Sequence, residues 1–138
     1  MCVLLRVVRL ICIDFAGKKQ FARTPYAVNF RTASKTFILV TLHVLYGDGA
    51  EERAPELKGI AEWLAEWAKE INEWDHNLIA LGNFNIDRRG DTLYDSFTST
   101  GLFIPEDLNL VPRTIFSDPC QPDLAKFYDQ IAWFTGSD

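Results

Sequence analysis

The segment Asn77-Leu78-Ile79-Ala80-Leu81-Gly82-Asn83-Phe84-Asn85-Ile86-Asp87 decides the fold of this chain of 138 residues. Residues 77–82 form a short apolar run that ends at a glycine, which predicts a buried strand. Residues 83–90 are polar, so we expect a loop there. Because α/β sheets usually place their binding groups just beyond strand ends, Asn83 and Asn85 are candidate functional residues.

The segments around this stretch predict an α/β chain with a mixed sheet. Residues 37–45 form a continuous apolar run rich in β-formers, which is typical of a central strand covered on both faces. Further strands are expected over residues 3–13, 26–30, 113–116 and 127–134. The resulting order is β-β-β-α-β-α-β-β, with helices on the outer face of one sheet.

Two helices are expected between these strands. Apolar residues recur at three-and-four spacing from Leu57 to Trp74, which predicts a long helix that begins near Pro55 after a loop over 46–54. A shorter helix is expected over residues 91–100, with Asp91 as its N-cap and Gly101 as its terminator. Residues 105–108 predict a turn or a single helical turn.

Composition excludes several classes of protein. With 48% apolar and 24% charged residues, the chain has a globular composition, and its length suits one domain. No run approaches the roughly 20 apolar residues that a membrane span needs. The three cysteines include no C-x-x-C pair, so neither a closed disulfide framework nor a cysteine zinc cage is expected. A cytoplasmic setting is therefore the expectation.

The net charge of −5 conceals an uneven distribution. Residues 1–35 carry seven basic side chains and one acidic side chain, whereas residues 51–75 carry eight acidic and three basic ones. The acidic run is most simply a solvated helix face. A chain of this charge is not expected to coat nucleic acid non-specifically, but a local phosphate site remains open.

Five polar residues fall near the expected strand ends: Arg23, His43, Asn83, Asn85 and Asp129. Arginine and amide groups donate to phosphate oxygens, and histidine transfers protons near neutral pH, so the set indicates a site that handles phosphate. Each residue also has a structural alternative: a hydrogen-bonded core histidine, turn asparagines and a surface arginine. A carboxylate inside the apolar strand around Asp129 needs a partner.

In chain order, five segments resemble the endonuclease/exonuclease/phosphatase superfamily, which has the DNase I-like fold. Residues 21–28 resemble its Arg-x-Pro strand, Leu42-His43 its histidine strand, and residues 82–87 its Gly-Asp-Phe-Asn signature. Residues 112–116 and 128–131 resemble its later Thr-bearing and Tyr-Asp-x-Ile strands. The resemblance implies a four-layer α/β sandwich, and we expect residues 1–138 to form a single partial domain of this kind, with the likeness strongest over 21–134.

The resemblance also implies hydrolysis of phosphate esters with Mg²⁺ or Mn²⁺. Arg23 would bind the substrate phosphate, and His43 would transfer a proton or hold the phosphate. Position 83 would orient and deprotonate the attacking water, Asn85 would donate to the phosphoryl oxygens, and Asp129 would orient a second catalytic histidine. The substrate could be a nucleic acid or a small phosphate ester.

This sequence departs from the family pattern at three places. Position 83 is Asn where the family has Asp, and a neutral amide cannot accept a proton from water. Asp14 is the only acid in residues 1–20, so the metal ligands are unknown. The later Ser-Asp-His strand of the family has no counterpart, so we expect the central and later part of such a domain.

Two functions therefore remain open at the level of sequence. The chain is either a divalent-metal phosphoester hydrolase or a non-catalytic module, a pseudoenzyme or truncated fragment, that binds a phosphate ligand or a protein partner. Half of a sandwich would leave one sheet face uncovered, so we expect low stability alone, or association with a partner or a second copy through that face.

Overall fold

The computed structural model describes residues 3–9, 21–70, 77–111, 120–121 and 126–134. Six strands form one mixed sheet: β1 (Val3–Arg9), β2 (Tyr26–Arg31), β3 (Thr36–His43), β4 (Leu78–Ile86), β5 (Leu102–Phe103) and β6 (Phe127–Phe134). Their order across the sheet is β1-β2-β3-β4-β6-β5. Strands β3 and β4 run parallel, and the other neighbouring pairs are antiparallel. The expected mixed sheet is confirmed.

Helix α1 (Ala50–Glu70) connects the two parallel strands, and α2 (Thr92–Thr98) follows β4. Both helices cover the same face of the sheet, because their buried residues share one core cluster with alternate residues of β3, β4 and β6. Members of that cluster include Leu57, Ile60, Leu64, Phe97, Val40, Ala80 and Ala132. The expected helices on one face are therefore confirmed, and the described residues form two layers, one of sheet and one of helix.

The opposite face of the sheet carries the alternate side chains, and we call it the second face. Its central residues are apolar and half-buried: Val28, Phe30, Phe37, Leu39, Ile79, Leu81, Ile131 and Trp133. The sequence predicted that residues 37–45 would be buried on both sides. Instead Thr41 and His43 are exposed, because no helix within the described ranges covers this face.

Several elements differ from the sequence prediction. Helix α1 begins at Ala50 rather than near Pro55, with Glu51 and Glu52 in its first turn, where acidic side chains favour the positive end of the helix dipole. Strand β4 continues through Asn83 to Ile86, where a loop was predicted, because β6 pairs with it there. The short strand β5 was not predicted.

Other predictions hold or cannot be compared. Asp91 caps α2, since its side chain accepts from the Tyr94 backbone N–H at 2.7 Å, and a 3₁₀ helix spans Glu106–Leu110. Strand β6 matches the predicted range 127–134. The predicted strand over 113–116 and the end of the long helix at Trp74 lie outside the described residues.

Gly82 on β4 pairs with Leu42 on β3. Its φ is +140°, and a Cβ atom at this position would lie 2.0 Å from the Leu42 carbonyl oxygen. That oxygen belongs to the backbone of the neighbouring strand, so it cannot rotate away. Only glycine fits here, which explains the glycine at the head of the Gly-x-Phe-Asn segment.

We expect Gly82→Ala to lower the free energy of unfolding by more than about 3 kcal/mol, because backbone strain and a backbone clash add together. Urea denaturation followed by circular dichroism measures the change. Gly90→Ala is the matched control: its φ of +74° is also positive, but nothing lies within 4 Å of the added Cβ. It should cost only about 1–2 kcal/mol. Equal losses for the two variants would contradict this account of Gly82.

Candidate active site at the strand ends

Three of the predicted site residues form one row across the sheet. His43 on β3 pairs with Asn83 on β4, and Asn83 pairs in turn with Asp129 on β6. Neighbouring strands lie about 4.8 Å apart, so the three backbone positions are adjacent. We call His43, Asn83 and Asp129 the strand-end row. His43 and Asp129 are exposed, and Asn83 is half-buried.

A groove of about 580 Å³ begins at the His43 end of this row. It is lined by Ala22, Arg23, Thr24, Tyr26, Thr41, Leu42 and His43. The groove brings the Arg23 segment to the row, so a guanidinium, two hydroxyl groups, a phenol and an imidazole line one cavity. These are donors that suit phosphate oxygens.

Sequence reasoning missed Thr24, Tyr26 and Thr41. A signal for Thr41 existed, because a residue two positions before His43 on a strand shares its face. Tyr26 then follows from its antiparallel pairing with Thr41, which sequence alone does not provide.

The segment that carries Arg23 is held against helix α1. Phe21 is buried and makes an edge contact with Trp63, with ring centroids 5.5 Å apart. The Ala22 backbone N–H donates to Glu56 Oε1 at 3.1 Å. These two contacts fix the position of Arg23 while its own side chain stays exposed.

Asn85 is not part of the row. It is only 5% exposed and has a left-handed backbone with φ of +51°. Its side-chain amide donates to the Val44 carbonyl oxygen at 2.8 Å. The side chain that was predicted to contact phosphate is thus used in this structure to join the ends of β3 and β4.

The Asn83 side chain also takes part in this turn. Its Oδ1 accepts from the Asn85 backbone N–H at 2.9 Å, and its backbone carbonyl accepts from the Val44 N–H at 2.9 Å. Because one amide oxygen is already engaged, the Nδ2 donor is what this residue offers to a ligand. An aspartate here could keep the same hydrogen bond with one oxygen and leave the other free.

A charged cluster that the sequence did not predict lies next to the row. Asp87 Oδ2 accepts from Arg53 Nη2 at 2.9 Å, and Asp87 Oδ1 lies 3.0 Å from Lys126 Nζ. The Arg53 guanidinium also lies 4.7 Å from the centre of the Tyr46 ring. We call Arg53, Asp87 and Lys126 the Asp87 cluster. Arg53 and Asp87 are 34 positions apart, so no local pattern reveals the pair.

Tyr128 lies in the sequence between Lys126 of this cluster and Asp129 of the row. Burial raises the pKa of Tyr128 to about 12, with further contributions from its hydrogen bond to Tyr46 and the charge of Asp87, while Arg53 acts in the opposite direction. Its ring meets Tyr46 edge-on, with centroids 6.0 Å apart. Tyr128 therefore stays protonated near neutral pH and is not a base.

Solved structures resemble the chain over most of its length. The human Nocturnin catalytic domain is 16% identical with a TM-score of 0.60, covering 96% of this chain and 48% of that chain. An endonuclease/exonuclease/phosphatase family protein from Bacteroides thetaiotaomicron is 21% identical with a TM-score of 0.52, covering 81% and 42%. The chain has the DNase I-like fold. The expected resemblance is thus confirmed at the level of fold.

A sequence relative points in the same direction. A deoxyribonuclease from Thioalkalivibrio sp. (strain K90mix) is 30% identical over 79 residues, which cover 56% of this chain and 21% of that protein. No family model matches. The chain spans about half the length of the DNase I-like structures and about a fifth of the deoxyribonuclease.

The described residues of this DNase I-like chain do not supply an evident metal centre. Within those ranges, no group of three or more His, Cys, Asp or Glu side chains could hold an ion. The row offers the carboxylate of Asp129, but position 83 has an amide. The described helices also include none that is long and apolar enough to cross a bilayer.

We expect Asn85→Asp to destabilise the fold by about 1–3 kcal/mol at neutral pH, because a carboxylate oxygen would face the Val44 carbonyl in place of a donor. Burial beside an acceptor raises the pKa of the introduced acid above its unfolded value, so the loss grows as the pH rises through that range and shrinks in acid. The measurement is the difference in urea midpoint between variant and parent across pH. A difference independent of pH would contradict the role assigned to Asn85.

Proposed function

We propose that this chain acts in the hydrolysis of phosphoesters and that it binds the phosphate group at the strand-end row. The observation that carries the proposal is the alignment of His43, Asn83 and Asp129 beside the groove that contains Arg23. Similar proteins named as a deoxyribonuclease and a mannosyl-6-phosphatase support a phosphoester as the substrate class.

The roles follow from the chemistry of each group. Arg23 pairs with the phosphate charge, and its exposure in the groove suits a ligand that arrives from solvent. His43 gives a proton to the leaving oxygen. The Asn83 amide donates to a phosphoryl oxygen or holds the attacking water, but it cannot remove a proton from that water. Asp129 provides a carboxylate, which orients a cationic group or a hydrogen-bond donor placed beside the row.

Dependence on Mg²⁺ or Mn²⁺ belongs to the same proposal. Such an ion would stabilise charge on the phosphoryl oxygens. The described residues provide no cluster of three ligands for it, and Asp129 is the carboxylate of the row that such an ion could contact. Loss of activity in EDTA, restored by Mg²⁺ or Mn²⁺, is the expected behaviour.

We expect Asn83→Asp to raise hydrolysis by roughly 10²–10⁴-fold, because it restores a group that can act as a general base without losing the hydrogen bond from the Asn85 N–H. Release of 4-nitrophenol from bis(4-nitrophenyl) phosphate and from 4-nitrophenyl phosphate, with Mg²⁺ or Mn²⁺, measures the rate. Asn83→Asp combined with His43→Ala is the control and should lose the gain. If neither parent nor Asn83→Asp turns over either ester, the hydrolase proposal is wrong.

A second function is favoured by Asn83 itself. Because its Oδ1 already accepts a hydrogen bond and its remaining group is a donor, the row suits binding of a phosphate ligand without turnover. We expect inorganic phosphate to bind the parent chain, and Arg23→Ala to weaken binding by about tenfold, as loss of a charge-assisted contact does. Isothermal titration calorimetry measures both.

Arg31→Ala is the matched control for this experiment. Arg31 is also an exposed arginine, but it lies at the other end of β2 from Tyr26, away from the groove. Its removal should leave the affinity for phosphate unchanged. Equal weakening by both variants would indicate non-specific attraction rather than a site at the row.

A further inference from the structure

The Asp87 cluster contains a buried ion pair whose contribution to the free energy of folding does not explain its presence. Arg53 is only 5% exposed, and its Nε and Nη1 atoms are buried with no hydrogen-bond partner among the residues that the structure describes. An unsatisfied buried donor costs about 1–3 kcal/mol, and buried ion pairs are often no better for stability than apolar side chains of similar volume. We therefore infer that the buried pair of Arg53 and Asp87 serves to fix the positions of the chain segments that it joins.

The cluster has contacts to each strand that carries the row. On β4, Asp87 follows the last residue of the strand and receives Arg53 from helix α1. On β6, Lys126 meets the Asp87 carboxylate, and the Phe127 N–H donates to the Asp87 carbonyl at 3.2 Å. The loop after β3 contributes Tyr46, whose ring lies against Arg53.

These contacts enclose an irregularity in the sheet. The pairing of β4 with β6 shifts between Asn83 and Ile86, because Asn83 pairs with Asp129 and Ile86 pairs with Phe127. Two residues of β4 thus face one residue of β6, and such a bulge weakens the local ladder. The hydrogen bonds of the Asp87 cluster lie directly beyond it. On that side of the bulge they act together with the Ile86–Phe127 pair to join the two strands.

We propose that Arg53, Asp87 and Lys126 are positioning residues, which hold the bulged ends of β4 and β6 so that Asn83 stays aligned with His43 and Asp129. The cluster does not touch the ligand in this assignment. It acts through the backbone of residues 83–87. Its consequence for catalysis rests on the proposed function, whereas its effect on the strand ends does not.

Amide hydrogen exchange of the whole chain tests the structural part directly. In Asp87→Asn, we expect protection of the Val44 and Asn85 amides, both of which donate to Asn83, to fall by at least about tenfold through local opening. The amides of Val40 and Ala80, in the middle of β3 and β4, should keep their protection. A uniform loss at all four amides would show a global role only, and no loss at any would show no role. Either result overturns the proposal.

Two further variants complete this test. Glu62→Gln removes a carboxylate from an exposed pair with Lys58 on α1 and should change none of the four amides. If Asp87→Asn does not fold, Lys126→Gln replaces it, because Lys126 is 39% exposed and its removal leaves the Arg53 pair intact. The same pattern, Val44 and Asn85 affected and Val40 and Ala80 not, is expected with a smaller loss.

Activity provides a second readout that separates the two proposals. In the Asn83→Asp background, adding Arg53→Met should lower kcat by about 10–100-fold and leave KM within about threefold, because misplacement of reacting groups affects chemistry more than binding. Unchanged kcat per folded molecule would contradict the positioning role. If Asn83→Asp itself is inactive, the proposed function fails, and the exchange experiment still decides the role of the cluster.

Discussion

The close approach of the parallel ends of β3 and β4 is the constraint on which the rest of this structure depends. Gly82 lies against the Leu42 carbonyl with no room for a side chain. Directly after it, the Val44 N–H and carbonyl bond the Asn83 backbone and the Asn85 side chain. These contacts fix β4 beside β3 beyond the point where an apolar run would end, and they determine which side chains of the Gly-Asn-Phe-Asn segment remain available to a ligand.

The same constraint divides two chemically similar residues between two roles. Asn83 and Asn85 are both amides two positions apart, yet only Asn83 falls in the row with His43 and Asp129. The left-handed conformation of Asn85 turns its amide toward β3, a conformation that asparagine adopts more readily than most residues. The sequence motif therefore identifies both asparagines, whereas the backbone conformation determines that only the Asn83 side chain lies in the row.

Much of the fold followed from local pattern. The strands around Val40, Ala80 and Ala132, the long helix and the cap at Asp91 were predictable because apolar periodicity and capping act over a few residues. The resemblance to a known superfamily also implied roles for five candidate residues, and four of them, Arg23, His43, Asn83 and Asp129, lie around the row of strand ends. The extension of β4 to Ile86 could not be predicted, since it depends on pairing with β6. Arg53 and Asp87 were missed for the same reason, because their contact exists only after α1 docks on the sheet.

The net charge illustrates why composition says little about such a site. The acidic residues of α1 lie on a helix that covers the core-forming face of the sheet, while the strand-end row belongs to the second face. One of them, Glu56, is used to hold the backbone of Ala22 and thereby the segment of Arg23. An acidic side chain thus helps to place the cation of the groove. Local placement of a few groups by the sheet decides whether a phosphate can bind, and the total charge of the chain does not.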